Sequence, residues 1–134
     1  MNWSTETMHL TFDEESGILV IEPNEDFRGP ETLEHAEYNI GKSYEMADAS
    51  LLRGILAFMP NHYINLEATQ YYRKNVPNVP LALVANSYFK RLIGNFILSL
   101  HTTKRPTKLF NRQEEAVTWL DSQLAEDKSI ATTV

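Results

Sequence analysis

Apolar residues along the chain follow two rhythms, one of period two and one of three to four, and the alternation between them predicts the elements. Short apolar runs at Met8–Phe12 and Ile18–Ile21 read as strands. The polar Asp13-Glu14-Glu15-Ser16-Gly17 between them, ending in glycine, reads as a hairpin turn. Pro23-Asn24-Glu25-Asp26 ends the second strand. Gly29-Pro30 predicts the start of a helix reaching about Asp48, with Glu31 and Glu34 complementing the positive end of its dipole. Leu33, Ala36, Ile40 and Tyr44 form its expected inner face. Gly54–Met59 is uninterrupted apolar sequence, the mark of a strand covered on both faces, and Pro60 stops it. A second helix is expected from about Leu66 to Lys74, capped by Asn65 and burying Leu66, Ala68 or Thr69, and Tyr72. Pro77-Asn78-Val79-Pro80 breaks the chain before a further strand-like run at Leu81–Ala85.

The segment that organises the second half is Ser87–Leu100. Phe89, Leu92, Ile93, Phe96, Ile97 and Leu100 recur at helical spacing, and Asn86 and Ser87 supply capping oxygens. A strand at Thr107–Phe110 follows, completing a β-α-β unit. Asn111 with Glu114 three residues on predicts the start of a last helix, whose buried stripe is Ala116, Val117, Leu120 and Leu124. Residues after about Glu126 are polar and patternless, and a frayed tail is expected there. The order is ββαβαβαβα: an α/β protein with a five-stranded, mostly parallel mixed sheet and four helices, folded as a single domain over residues 1–134.

Composition narrows the class. There is no cysteine, so thiolate chemistry and a disulfide scaffold are excluded. The first residues lack the basic start and apolar core of a signal peptide, and no apolar run reaches the ~20 residues that span a bilayer. The expectation is a cytoplasmic protein without integral membrane association. Net charge is −6, unevenly spread. Residues 1–67 hold thirteen acidic and three basic side chains, whereas residues 68–113 hold eight basic ones and no acid. The two zones either face one another, within the fold or across a dimer, or the basic zone meets an anionic partner.

Motifs that suggest chemistry are weak. Ala36 to Ser43, ending Gly41-Lys42-Ser43, fits a relaxed phosphate-loop expression, but the residues before it read as helix, so no nucleotide site is expected. His9, His35, His62 and His101 lack metal-ligand spacing, and no catalytic residue, metal or cofactor is expected. His62 alone stays open, since it sits in the loop after a strand, where α/β folds bind ligands. Aromatic residues interleave with Arg73, Lys74, Lys90 and Arg91, yet the overall negative charge argues against nucleic acid.

Leu-Ile-Gly-Asn-Phe-Ile-Leu (92–98), Pro-Thr-Lys-Leu-Phe (106–110) and Glu-Glu-Ala-Val-Thr-Trp-Leu (114–120) resemble a bacterial family of small STAS-like proteins that share the SpoIIAA-like fold. The resemblance covers residues 80–121 and is compatible with the remaining element order. It implies the fold and a non-enzymatic regulatory or interaction module that binds a protein partner or itself. The alternative it leaves open is a carrier or sensor of a small amphipathic, lipid-like or anionic ligand. In better-known STAS domains a Ser or Thr at the helix after the third strand is phosphorylated. The equivalent segment here, Pro60 to Leu66, has neither, so the phosphoswitch is not expected, and Thr69 lies a turn inside the helix. Asn61, His62, Tyr63 and Asn65 remain as a ligand-binding loop equivalent to the switch. A second surface is expected on the Ser87–Leu100 helix. There Leu98 falls outside the buried stripe, beside the gap left by Gly94 and near Lys90, Arg91, Lys104 and Arg105.

Overall fold

The computed structural model describes residues 1–48, 50–87, 90 and 106–133. Six strands form one sheet in the order in which they occur along the chain. They are β1 (Asn2–Ser4), β2 (Met8–Asp13), β3 (Ile18–Pro23), β4 (Gly54–Phe58), β5 (Leu81–Val84) and β6 (Thr107–Phe110). The β1–β2 and β2–β3 pairs are antiparallel, while β3 to β6 run parallel. Three helices lie among the described residues: α1 (Leu33–Met46), α2 (Leu66–Asn75) and α3 (Gln113–Thr133). The sheet therefore has six strands and not the expected five. The helix expected over Ser87–Leu100 lies outside the described residues except at its start, where Ser87 Oγ accepts the Lys90 N–H at 3.2 Å.

Side-chain alternation divides the sheet into two cores. Leu10, Phe12, Leu19 and Ile55 point to one face and pack with Met46 and Ala47 at the end of α1 and with Leu52. Leu56, Ala82, Val84 and Phe110 point to the other face and pack with Ala116 and Leu120 of α3. The continuous apolar run of β4 is thereby explained, since its residues alternate between two covered faces. Each fully buried aliphatic or aromatic side chain here is worth roughly 1.5–3 kcal/mol.

The β2–β3 turn depends on Gly17. Its N–H donates to Asp13 O at 2.8 Å, and its φ of +75° lies in the left-handed region. A Cβ at this position would stand 2.5 Å from the carbonyl oxygen of Leu51, which is backbone and cannot swing away. Gly17→Ala is expected to lower stability by about 1–3 kcal/mol, measured by urea denaturation. A loss of less than about 0.5 kcal/mol would show that the turn relaxes freely.

Helix α1 starts later than Gly29-Pro30 implies. Thr32 is its N-cap and stands in extended conformation, and the Thr32 N–H donates to His35 Nδ1 at 3.0 Å. Ala36 and Ile40 face the core as expected, joined by Asn39 and Ser43, but Tyr44 is exposed and donates its hydroxyl to Asn75 O. Two polar residues hold inner positions because each finds a partner: Ser43 Oγ donates to Asn39 O at 2.8 Å, and Asn39 joins the network described next.

Candidate functional site

The residues before α1 run alongside the loop between β4 and α2. The Glu31 N–H donates to Tyr63 O at 2.8 Å, and the Asn65 N–H donates to Glu31 O at 3.0 Å. Glu31 and Ile64 thus form a short parallel bridge outside the main strands. Gly29, at φ +82°, permits the approach, because a Cβ there would meet His62 Cβ and Tyr63 O, both at 3.3 Å.

This pairing sends the Glu31 side chain inward, where it is 1% exposed. A carboxylate so buried is tolerable only if donors replace its water. His62 Nε2 supplies one to Oε1 at 2.6 Å, and the Tyr72 hydroxyl supplies another to Oε2. Asn39 Nδ2 extends the network, donating to Tyr72 Oη at 2.8 Å and to Thr7 Oγ1 at 2.7 Å. Burial first, and then the charge of Glu31, holds the Tyr72 phenol well above its ordinary range, so its proton stays on as a donor. The Phe27 and His62 rings meet in a T-shaped contact with 4.8 Å between centroids. The network ties together the β1–β2 turn, α1, α2 and the β4–α2 loop.

A carboxylate holding an imidazole can orient a general base. Here Glu31, Asn39 and Thr7 are each 2% exposed or less, and the His62 side chain is 4% exposed. The arrangement braces a loop from behind. On the outer side of that loop Asn61 is exposed, and Tyr63 and Leu66 are 68% and 60% exposed. Asn65 completes the platform as the N-cap of α2, accepting the Ala68 N–H at 2.9 Å. Thr69 spends its hydroxyl on Asn65 O, as its place inside the helix predicts.

The loop borders the carboxyl ends of the parallel strands, where an open cleft of about 470 Å³ lies. Glu22, Glu25 and Asp26 come to it from the end of β3, Asn61 from β4, and Asn86 and Lys90 from β5. A smaller pocket of about 90 Å³ adjoins it beside Phe27, Arg28 and His62. No group of three or more His, Asp or Glu suited to a metal occurs among the described residues.

Of the residues singled out from sequence, Asn61, His62, Tyr63 and Asn65 share the loop, with two turned outward, His62 turned inward and Asn65 capping α2. Lys90 lines the same cleft as Asn61 and donates Nζ to Asn86 Oδ1 at 3.3 Å. Arg91, Gly94, Leu98, Lys104 and Arg105 lie outside the described residues. Gly41-Lys42-Ser43 sits inside α1, with Lys42 paired to Glu45 at 2.9 Å. Glu31 corrects the sequence reading: it serves the loop rather than the helix dipole. Leu66 corrects it again, since it opens α2 on the solvent side while Ala68 faces inward.

An antiparallel hairpin edge joined to parallel β-α-β units, with a buried carboxylate fixing the loop at the strands' carboxyl ends, defines a small mixed-sheet α/β domain. The chain belongs to the family described as Domain of unknown function (DUF7793), which matches residues 14–124. No curated protein and no solved structure matches it. Among the described residues no helix is long and apolar enough to cross a membrane.

Proposed function

We propose that the protein is a non-enzymatic interaction module of the STAS-like, SpoIIAA-like kind, and that it docks a protein partner on the outer side of the β4–α2 loop. The observation that carries this reading is the rigid loop itself. Glu31 holds it by two main-chain hydrogen bonds and by His62, while Tyr63 and Leu66 project from it as its most exposed apolar side chains. Apolar groups on a pre-ordered platform bind with little loss of conformational freedom. A large exposed tyrosine at the centre of such a surface is a common anchor. The loop replaces the phosphoacceptor of better-known STAS domains with a fixed shape, so recognition here is constitutive.

A second reading, a sensor of a small ligand, rests on the cleft of about 470 Å³, which has the size of a ligand site. Its acidic edge at Glu22, Glu25 and Asp26 favours a polar or cationic ligand over an anion. Carriage of a lipid has less to stand on. The apolar cavity beneath α1 and α2, between Ile40, Ile55 and Val76, holds only about 40 Å³.

The test is photocrosslinking in the native cell with a photoreactive residue at Tyr63. One discrete protein adduct is expected, and Leu66→Asp, on the solvent side of α2, should abolish it. No adduct, or an adduct indifferent to Leu66→Asp, would refute docking on this loop.

A further inference from the structure

Strand β1 ends the sheet, and its outer edge carries hydrogen-bonding groups in a self-complementary register. Met1 and Phe12 exchange both main-chain hydrogen bonds, at 2.9 and 3.1 Å, and the Thr5 N–H donates to Met8 O at 2.8 Å. Antiparallel ladders alternate, so Trp3, opposite Leu10, also points its N–H and C=O inward to β2. Asn2 and Ser4, opposite Thr11 and His9, therefore point theirs outward. Among the described residues β1 has no second neighbour. Exposed edges are ordinarily defended by charge, proline or a bulge. Asn-Trp-Ser has none of these.

We propose that β1 pairs with β1 of a second copy of this chain about a two-fold axis at Trp3, joining two sheets into one of twelve strands. Asn2 of each copy then faces Ser4 of the other as a hydrogen-bonded pair, which gives four main-chain bonds. Trp3 faces its symmetry mate as the non-hydrogen-bonded pair, with Cα atoms ~4.5 Å apart. Both faces of the sheet suit the pairing. On one, Trp3 is 44% exposed and lies beside α1, with Lys42 Nζ 4.3 Å from its ring centre and Tyr38 nearby. Stacked tryptophans across the axis would add the aromatic cross-strand contact that stabilises sheets. On the other face the Asn2 carboxamide meets the Ser4 hydroxyl, which already bonds His9 Nδ1 at 2.7 Å. Charge is compatible as well. β1 carries no charged side chain, and of the cations beside it Lys42 is already paired with Glu45 while the Met1 α-ammonium is turned inward to Phe12 O. A second copy is favoured over an unrelated strand because the two-fold sets the outward groups of Asn2 against those of Ser4, satisfying all four in each copy, and brings the exposed Trp3 against its own symmetry mate. The surface is separate from the β4–α2 loop and stands whether or not that loop docks a partner.

The absence of natural cysteine makes a direct test available. A Cα separation of ~4.5 Å lies within the range that a disulfide spans. In the full chain, Trp3→Cys is expected to form a covalent dimer under mild oxidant, and Tyr63→Cys, at a more exposed position, is not. In parallel, sedimentation velocity should show a wild-type dimer. Asn2→Pro removes only an outward N–H and should weaken that dimer about tenfold or more, with unchanged circular dichroism. The proposal is overturned if Trp3→Cys crosslinks no faster than Tyr63→Cys. It is equally overturned by a wild-type monomer, or by a dimer that Asn2→Pro leaves intact, which would place the contact elsewhere or with a strand of another protein.

Discussion

Glu31→Ala should lower the free energy of unfolding by about 3–5 kcal/mol, the loss that follows when the shared acceptor of two buried donors is removed. The cost has two parts. The His62 ring, 4% exposed, and the Tyr72 hydroxyl lose their acceptor in a space that water does not reach, and a void opens where the carboxylate stood. Small domains are stable by only about 5–15 kcal/mol, so the variant would lie close to unfolding at ambient temperature. Glu31→Gln separates charge from shape. It keeps the volume but offers Tyr72 or His62 an amide donor where an acceptor was, and should cost about 1–3 kcal/mol. Urea titrations of both variants check the ranking. If Glu31→Ala costs under about 1 kcal/mol, the network does not brace the loop, and the rigid-platform reading of Tyr63 and Leu66 falls with it.

Leu120→Ala should cost about 2–5 kcal/mol, on the other side of the sheet. Leu120 is fully buried and packs in the cluster of Leu56, Val84, Phe110 and Ala116, and its Cδ2 is the nearest atom to the open side of Gly54. The backbone of β4 cannot move to fill the space, because Leu19 and Ile55 fill the opposite face. Denaturant unfolding measures the loss. A cost below about 1 kcal/mol would mean that α3 contributes little to the second core.

How much of this was legible in the sequence differs by element. β2 to β6 were readable because each carries a run of apolar side chains whose periodicity survives in one dimension. β1 was not, since Asn2, Trp3 and Ser4 are all exposed and its place in the sheet comes from main-chain hydrogen bonds that any residues could make. The length of α3 past Glu126 was likewise invisible, as its later residues have no apolar stripe. The site was half legible. His62 and its loop were marked by position after a strand, but nothing local to Glu31 separates an acid in a helix's first turn from one that reaches His62 and Tyr72, 31 and 41 residues on. Gly29-Pro30 was the available signal, a pair that signals a turn more than a helix start. Leu66 misled for a simpler reason. The first residue of a helix faces whichever way the cap sets, and Asn65 sets it outward.

The sheet's strand order bears on how the chain is made. Every strand lies beside its predecessor, so a polypeptide emerging from the ribosome at about 5–20 residues per second can add each new strand to an edge already in place. Only the antiparallel pairings are local; in the parallel half Ile18 pairs with Gly54, Ile55 with Leu81 and Leu81 with Thr107, and such distant parallel pairing is slow to form. The hairpin of β2 and β3 offers a first template before half of the chain exists. Glu31, however, must wait for Tyr72, so a nascent chain shorter than that carries an unsatisfied acid. On this schedule the loop platform sets only after α2 has left the exit tunnel.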